Sequence, residues 1–198
     1  GDGAAAWQIH YRALQLREQG VDVLLLSVGD PDFETPQPVV QAAIDSLLAG
    51  DTHYSEVRGR RGLRDSIARR HRLTSGQIVD AEHVVVLPGA QSAVYSVAQC
   101  VLDPGDEVII AEPMYVTYEG VMGACGAKVV PVAVRPENGF RVDPADVAAL
   151  ITARTRAILL NSPNNPSGAS LPLMVWQELA SLCIRHDLWL ISDEVYSE

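Results

Sequence analysis

Five near-continuous apolar runs punctuate the chain from residue 84 onward: Val84-Val85-Val86-Leu87, Val108-Ile109-Ile110-Ala111, the stretch from Val129 to Val134, Ile158-Leu159-Leu160, and Leu188-Trp189-Leu190-Ile191. Short runs without polar alternation suit strands buried on both faces, and such strands belong to parallel sheets covered by helices. Between them, residues 91–101, 116–124, 144–151 and 172–186 carry apolar positions at helical spacing. Strand and helix therefore alternate, which predicts βαβ units, a mainly parallel sheet with helices on both faces, and an α/β fold class. Their crossovers are expected to be right-handed.

The upstream pattern differs. Trp7, Ile9, Tyr11, Leu14 and Leu16 recur at helical spacing, predicting a helix from Ala5 to Gln19 with Gly20 as its stop. Val23 to Val28 reads as a short extended stretch that ends in Gly29-Asp30-Pro31-Asp32. Helices are predicted over about Pro38 to Leu48 and Gly62 to Leu73, separated by the polar loop Gly50 to Tyr54. The opening Gly1-Asp2-Gly3-Ala4-Ala5-Ala6 imitates the spacing of a dinucleotide fingerprint, but that fingerprint follows a strand and none precedes it here. The same residues lack the basic start and apolar stretch of a secretory leader, and with no initial Met the chain is expected to start inside a gene product.

Composition narrows the function classes. With 198 residues, 47% apolar and 20% charged, the chain has ordinary globular usage, enough for one good-sized domain or somewhat more. No apolar run approaches the ~18 residues that span a bilayer, so no membrane role is expected. The net charge of −10 argues against a nucleic-acid partner. Arg58-Gly59-Arg60-Arg61 and Arg69-Arg70-His71-Arg72 form the densest basic run; interspersed acids make it read as a solvated helix face rather than an anion site. Cys100, Cys125 and Cys183 have no metal-ligand or disulfide spacing, which fits structural thiols in a reducing cytoplasm. Of the fifteen basic residues in the Lys+Arg count, Lys128 is the single lysine.

In open α/β sheets ligands bind beyond the carboxyl ends of the strands, so the residues that follow each run carry the candidate chemistry. Pro88-Gly89-Ala90-Gln91-Ser92 opens a helix with small residues, where backbone N–H groups can meet an anion. Glu112-Pro113-Met114-Tyr115 places an aromatic ring that can stack on a planar ligand or pack in the core. Asn161-Ser162-Pro163-Asn164-Asn165-Pro166-Ser167-Gly168 has more prolines and amides than a plain turn needs and reads as a binding loop. Asp193 follows an apolar strand, so its carboxylate requires a cation or several donors; a helix cap is the plainer alternative. Anion cradle, flat ring, amide and carboxylate on one sheet edge together describe a site for a planar, phosphorylated, cationic heterocycle.

These segments, in this order, resemble the class I/II aminotransferases among the fold-type-I pyridoxal-phosphate enzymes. The resemblance runs through Ser27-Val28-Gly29-Asp30-Pro31-Asp32-Phe33, Tyr54 with Gly59 and Gly62-Leu63-Arg64, Pro88 to Gln91, Pro104-Gly105-Asp106-Glu107-Val108, Glu112 to Tyr115, Asn161 to Gly168 and Ser192-Asp193-Glu194-Val195-Tyr196. It implies the three-layer large domain of that fold, incomplete, with a mainly parallel sheet and an N-terminal arm. Residues 1–45 would form the arm and part of a small domain, and residues 46–198 the cofactor-binding large domain. The implied cofactor is pyridoxal 5′-phosphate. Asp193 would pair with its ring nitrogen, Asn165 and Tyr196 with its phenolic oxygen, Tyr115 with its ring face, and Gly89, Ala90 and Gln91 with its phosphate. Asp193 and Tyr196 are thus the implied catalytic residues, and no metal site is implied. Tyr54 would reach the phosphate of a neighbouring subunit's cofactor, implying a homodimer with shared active sites, and Gly29 would lie over the substrate. A cis Asn165–Pro166 bond is expected on the same basis.

The implied activity is amino transfer from an L-amino acid to a 2-oxo acid. Ile9 to Leu14 and Pro166 to Pro172 are most similar to the family branch acting on arginine with pyruvate. A carbon–sulfur β-lyase of the same fold, or a catalytically inert binding fragment, remains open on these residues. The family's Schiff-base lysine has no counterpart: Lys128 precedes its strand, at the amino end of the sheet. The chain is therefore expected to be the front half of a longer enzyme and inactive by itself. A sheet ending at Leu188 to Ile191 is also expected to leave an apolar edge that promotes aggregation.

Overall fold

The computed structural model describes residues 3–197; Gly1 and Asp2, which begin the Gly-x-Gly spacing, and Glu198 lie outside the described residues. The chain divides into two compact units, one joining the segment up to Val21 to everything from Gly89 onward, the other spanning Asp22–Pro88.

The first unit opens with α1 (Gly3–Glu18), followed by α4 (Ala90–Val101), β1 (Glu107–Glu112), α5 (Tyr118–Ala124), β2 (Lys128–Ala133), α6 (Pro144–Leu150), β3 (Thr155–Asn161), α7 (Leu173–His186) and β4 (Trp189–Asp193); α2 (Gln37–Leu48) and α3 (Arg61–Ser75) belong to the second unit. The four strands form one parallel sheet in the order β2-β1-β3-β4. Because successive strand residues face opposite sides, each strand feeds two cores. Val108 and Ile110 of β1 with Ala157 and Leu159 of β3 pack against Val94 and Ala98 of α4 and Val121 and Met122 of α5. Ile109, Ile158 and Leu160 pack on the other side with Val147 of α6 and Leu179, Leu182 and Cys183 of α7. The result is the three-layer α/β arrangement predicted from the alternation.

The expectation of strands buried on both faces holds for β1 and β3, which occupy the middle of the sheet. β2 and β4 are its outer strands and stay partly exposed, with Trp189 57% accessible. Val84 to Leu87, read as a further strand, carries no ladder among the described residues; its backbone contacts include the Val86 N–H donating to the Arg58 carbonyl at 2.9 Å and the Val84 N–H donating to the Ala81 carbonyl at 3.3 Å. An apolar run becomes a strand only where a neighbouring backbone completes it, and periodicity does not report that neighbour. β4 also runs two residues further than its apolar run, through Ser192 and Asp193.

In the second unit, the first half of the basic run is exposed and paired with acids, Arg58 with Glu82, Arg60 with Asp51, and Arg61 with Asp65 and Glu82, while in the second half Arg72 donates to the Val79 carbonyl and His71 meets Gln77. Arg64 differs. It is buried at 1% exposure and donates to the Gly59 carbonyl (2.9 Å), the Ala81 carbonyl (2.7 Å) and the Glu56 carboxylate (2.5 Å). Gly59 sits at φ +98°, and a Cβ there would fall 2.7 Å from Val86 Cβ, so this position requires glycine. Cys100 is exposed, whereas burial pushes the Cys125 and Cys183 thiols up, away from the reactive thiolate.

Candidate functional site

The chain runs from β1 to β2 on one side and then returns to place β3 on the other side of β1. That reversal opens a crevice at the carboxyl ends of β1 and β3, the place where open α/β sheets bind ligands. A cavity of about 250 Å³ lies among the chain segments gathered there. The start of α4 lines it with Gly89, Ala90 and Gln91, the segment after β1 with Tyr115 and Thr117, α5 with Tyr118 and Val121, and the ends of β3 and β4 with Asn161, Asp193, Val195 and Tyr196.

Local sequence explains each placement. Gly89 takes φ +87° as the N-cap of α4, and no side chain caps that helix, so the N–H groups of its first turn point into the crevice end with the positive end of the helix dipole. Asp193 is the final residue of β4 and is half-buried. Both its carboxylate oxygens accept: Oδ1 from the Val195 N–H at 3.1 Å and Oδ2 from the Tyr118 hydroxyl at 2.7 Å. The first contact closes a local turn, and the helix that a cap would require does not follow Asp193 among the described residues; the second spans 75 residues and holds the carboxylate from the cavity lining. Tyr115 and Tyr118 meet edge to face with ring centroids 5.8 Å apart.

Asn165 does not line the cavity itself; its Nδ2 donates to the Tyr196 hydroxyl at 2.8 Å, so the two act as a pair. The Asn165–Pro166 bond is cis, as are Glu112–Pro113 and Ser162–Pro163. Seven of the predicted site residues are thus assembled at one sheet edge: Gly89, Ala90, Gln91, Tyr115, Asn165, Asp193 and Tyr196. Tyr54 and Gly29 lie in the Asp22–Pro88 unit, both exposed. Lys128 begins β2 and is exposed at the opposite, amino edge of the sheet.

Sequence reasoning passed over Tyr118. Only 3% of it is exposed, and burial together with the neighbouring Asp193 carboxylate holds its hydroxyl far above the ordinary tyrosine range, so it stays a proton donor at neutral pH. The available signal was a second tyrosine three residues after Tyr115, near the start of the helix predicted over residues 116–124. Among the described residues there is no cluster of His, Cys, Asp or Glu able to hold a metal ion, and no helix long and apolar enough to cross a membrane.

The chemistry assembled is specific: a carboxylate held by two donors, aromatic and aliphatic walls, and an uncapped helix start, suited to a flat cationic ring that carries an anionic group. Known proteins share this framework. The aminotransferase class I and II family model matches residues 21–198. An arginine–pyruvate transaminase of Pseudomonas aeruginosa is 74% identical over all 198 residues, which cover 50% of that protein. An aspartate/prephenate aminotransferase of Thermus thermophilus is 42% identical over 98% of the chain and 50% of its own length. Among solved structures, an aspartate aminotransferase from Thermus thermophilus with maleate superposes with a TM-score of 0.92 at 42% identity, covering 99% of this chain and 50% of that one. An alanine aminotransferase from Pyrococcus furiosus gives 0.93 at 30% identity, covering 97% of this chain and 50% of its own. The chain spans about half the length of the curated relatives it matches. It belongs to the class I and II aminotransferases.

Proposed function

We propose that the protein is a pyridoxal-phosphate-dependent aminotransferase that moves the amino group of an L-amino acid to a 2-oxo acid, with arginine and pyruvate as the pair. Class I and II aminotransferases use pyridoxal phosphate. The observation that carries the proposal is Asp193, a carboxylate held by Tyr118 and Val195 in a cavity with aromatic and aliphatic walls. The 74% identity to the arginine–pyruvate transaminase favours that substrate pair.

When bound, pyridoxal phosphate supplies a conjugated sink for electrons released at the amino acid's α-carbon. Asp193 would face the ring nitrogen and favour its protonated form, since an opposite charge nearby stabilises the cation. Asn165 and Tyr196 would hold the phenolic oxygen by hydrogen bonds, stabilising negative charge there. Tyr115 would cover one ring face, and the first N–H groups of α4, at Gly89, Ala90 and Gln91, would take the phosphate. Gly29 over the substrate, and Tyr54 reaching the phosphate in a second copy of the chain, rest on the family resemblance; the dimer they describe, like a division into an arm over 1–45 and a large domain over 46–198, is part of the proposal. The lysine that removes the α-proton and holds the cofactor would come from outside these residues, because Lys128 lies at the wrong edge of the sheet.

The test uses the full-length protein. Titration with pyridoxal phosphate should produce a visible absorbance band, and a panel of L-amino acids with pyruvate should show arginine as the preferred donor. The Lys128→Arg variant should retain activity within about twofold, as an exposed residue far from the chemistry does. A protein that binds no cofactor sinks the proposal; one that binds it but prefers another donor sinks only the choice of arginine.

A further inference from the structure

The loop after β3 and the turn after β4 carry different parts of the proposed site, and one buried side chain joins them. Asn161, the last residue of β3, is 8% exposed. Its Nδ2 donates to the Asp193 carbonyl at 3.0 Å, and its Oδ1 accepts from the Asn165 N–H at 2.7 Å. Asn165 then donates to Tyr196, three residues beyond Asp193, at 2.8 Å. The links form a closed circuit: Asp193 backbone, Asn161, Asn165, Tyr196, and back along the chain to Asp193.

We propose that Asn161 is a positioning residue that sets the Asn165–Tyr196 pair relative to the Asp193 carboxylate, and so tunes how strongly the pair stabilises negative charge on the cofactor's phenolic oxygen. This rests on the function proposed above. An asparagine suits the task because its amide offers a donor and an acceptor on one planar group, and both are used. The rest of the loop has its own staples: Asn164 N–H to the Ala169 carbonyl (2.9 Å), Gly168 N–H to the Asn164 carbonyl (2.7 Å) and Leu171 N–H to Ser162 Oγ (3.1 Å). The Asp193 carbonyl also accepts from the Ser162 N–H at 3.2 Å. Truncating Asn161 therefore leaves the loop's internal shape and the strand pairing in place. What it removes is the tie between the Asn165 backbone and β4.

The experiment compares full-length Asn161→Ala, Asn165→Ala and the double variant, each loaded with pyridoxal phosphate. The readouts are the pH midpoint of the bound cofactor's visible absorbance and its dissociation constant. With the donor pair loosened, the anionic oxygen is less stabilised, and the midpoint of Asn161→Ala should rise by roughly half a unit to one unit. The cofactor should bind several-fold more weakly. Because Asn161 acts through Asn165, the double variant should shift no further than Asn165→Ala alone. An unchanged midpoint with a lowered melting temperature marks Asn161 as merely structural and overturns the proposal, as does full additivity in the double variant. If Asn161→Ala does not fold, Asn161→Ser, which keeps a hydroxyl in the same space, is judged by the same midpoint and additivity. A wild-type protein with no cofactor band overturns this inference together with the proposed function, whereas a normal wild-type band with an unshifted variant overturns this inference alone.

Discussion

Replacing Tyr118 with phenylalanine removes one oxygen and leaves the ring that packs against Val94, Val121 and Met122. The lost contact is the 2.7 Å hydrogen bond to Asp193 Oδ2. A hydrogen bond to a charged group contributes about 1.5–3 kcal/mol, and the half-buried position of Asp193 lets water take over part of it, so the lower end applies. Oδ1 keeps the Val195 N–H, so the carboxylate stays near its place but is less firmly oriented. Because the bond is present without cofactor, most of that ~1.5 kcal/mol falls on folding stability, and the part that orients the carboxylate is expected to weaken cofactor binding roughly threefold to fivefold. Equilibrium titration of the full-length apo-protein with pyridoxal phosphate measures this directly. The same substitution has a second signature. Burial, with the Asp193 carboxylate, raises the Tyr118 hydroxyl above the ordinary tyrosine value of about 10. A group raised in the folded state contributes stability that is complete below the unfolded value and lost as pH rises through the folded one. Wild-type protein should therefore lose stability above about pH 10 more steeply than Tyr118→Phe. Equal cofactor affinity within twofold, with identical alkaline unfolding profiles, would refute the role assigned to Tyr118.

Arg64→Met keeps the buried stem but leaves the Gly59 carbonyl without the Arg64 donor and the Ala81 carbonyl with only the Val84 N–H at 3.3 Å, while the exposed Glu56 carboxylate returns to water; at about 1–3 kcal/mol for an unsatisfied buried acceptor, a destabilisation of about 1–3 kcal/mol is expected in urea unfolding, and an unchanged midpoint would contradict it. Glu107 is held below the ordinary carboxylate range by the Thr152 hydroxyl (2.6 Å) and then by Arg154 (2.8 Å). Its contribution is present above the unfolded value of about 4.3 and lost as pH falls through the lower folded value, so Glu107→Gln should flatten the acid limb of a stability profile; parallel limbs would exclude this.

The tertiary layout was legible where a residue's own pattern was enough. Val108 to Ala111 and Ile158 to Leu160 read as doubly buried strands because their apolar runs are uninterrupted, and they occupy the centre of the sheet. Asp193, Tyr196, Asn165 and Tyr115 were found as neighbours because βαβ alternation brings strand ends to one edge, whereas the start of α4 reaches that edge with no strand before it among the described residues. The Val84 to Leu87 run misled for the complementary reason: β-pairing depends on a partner backbone, and without a ladder among the described residues the run stays half-buried, with Val85 exposed.

Arg64 shows the same limit from the polar side. In sequence it lies between the two halves of the basic run and nothing local sets it apart from the exposed Arg58, Arg60 and Arg61, yet its guanidinium is enclosed by two carbonyls and a carboxylate from three separate positions. Tyr118 and Asn161 are likewise ordinary helix and strand residues until a contact 75 positions away and another 32 positions away give them their tasks.

Sequence alone therefore determined the layers, the parallel sheet and the edge on which the chemistry gathers, because hydrophobic periodicity and strand-end composition are local properties. Only the tertiary structure decided which strands are central, which arginine is buried, and how Asp193 is held by Tyr118 and tied through Asn161 to the Asn165–Tyr196 pair. Hydrogen bonds need a donor and an acceptor within about 3 Å at the right angle, and that meeting is made by the fold rather than by spacing along the chain.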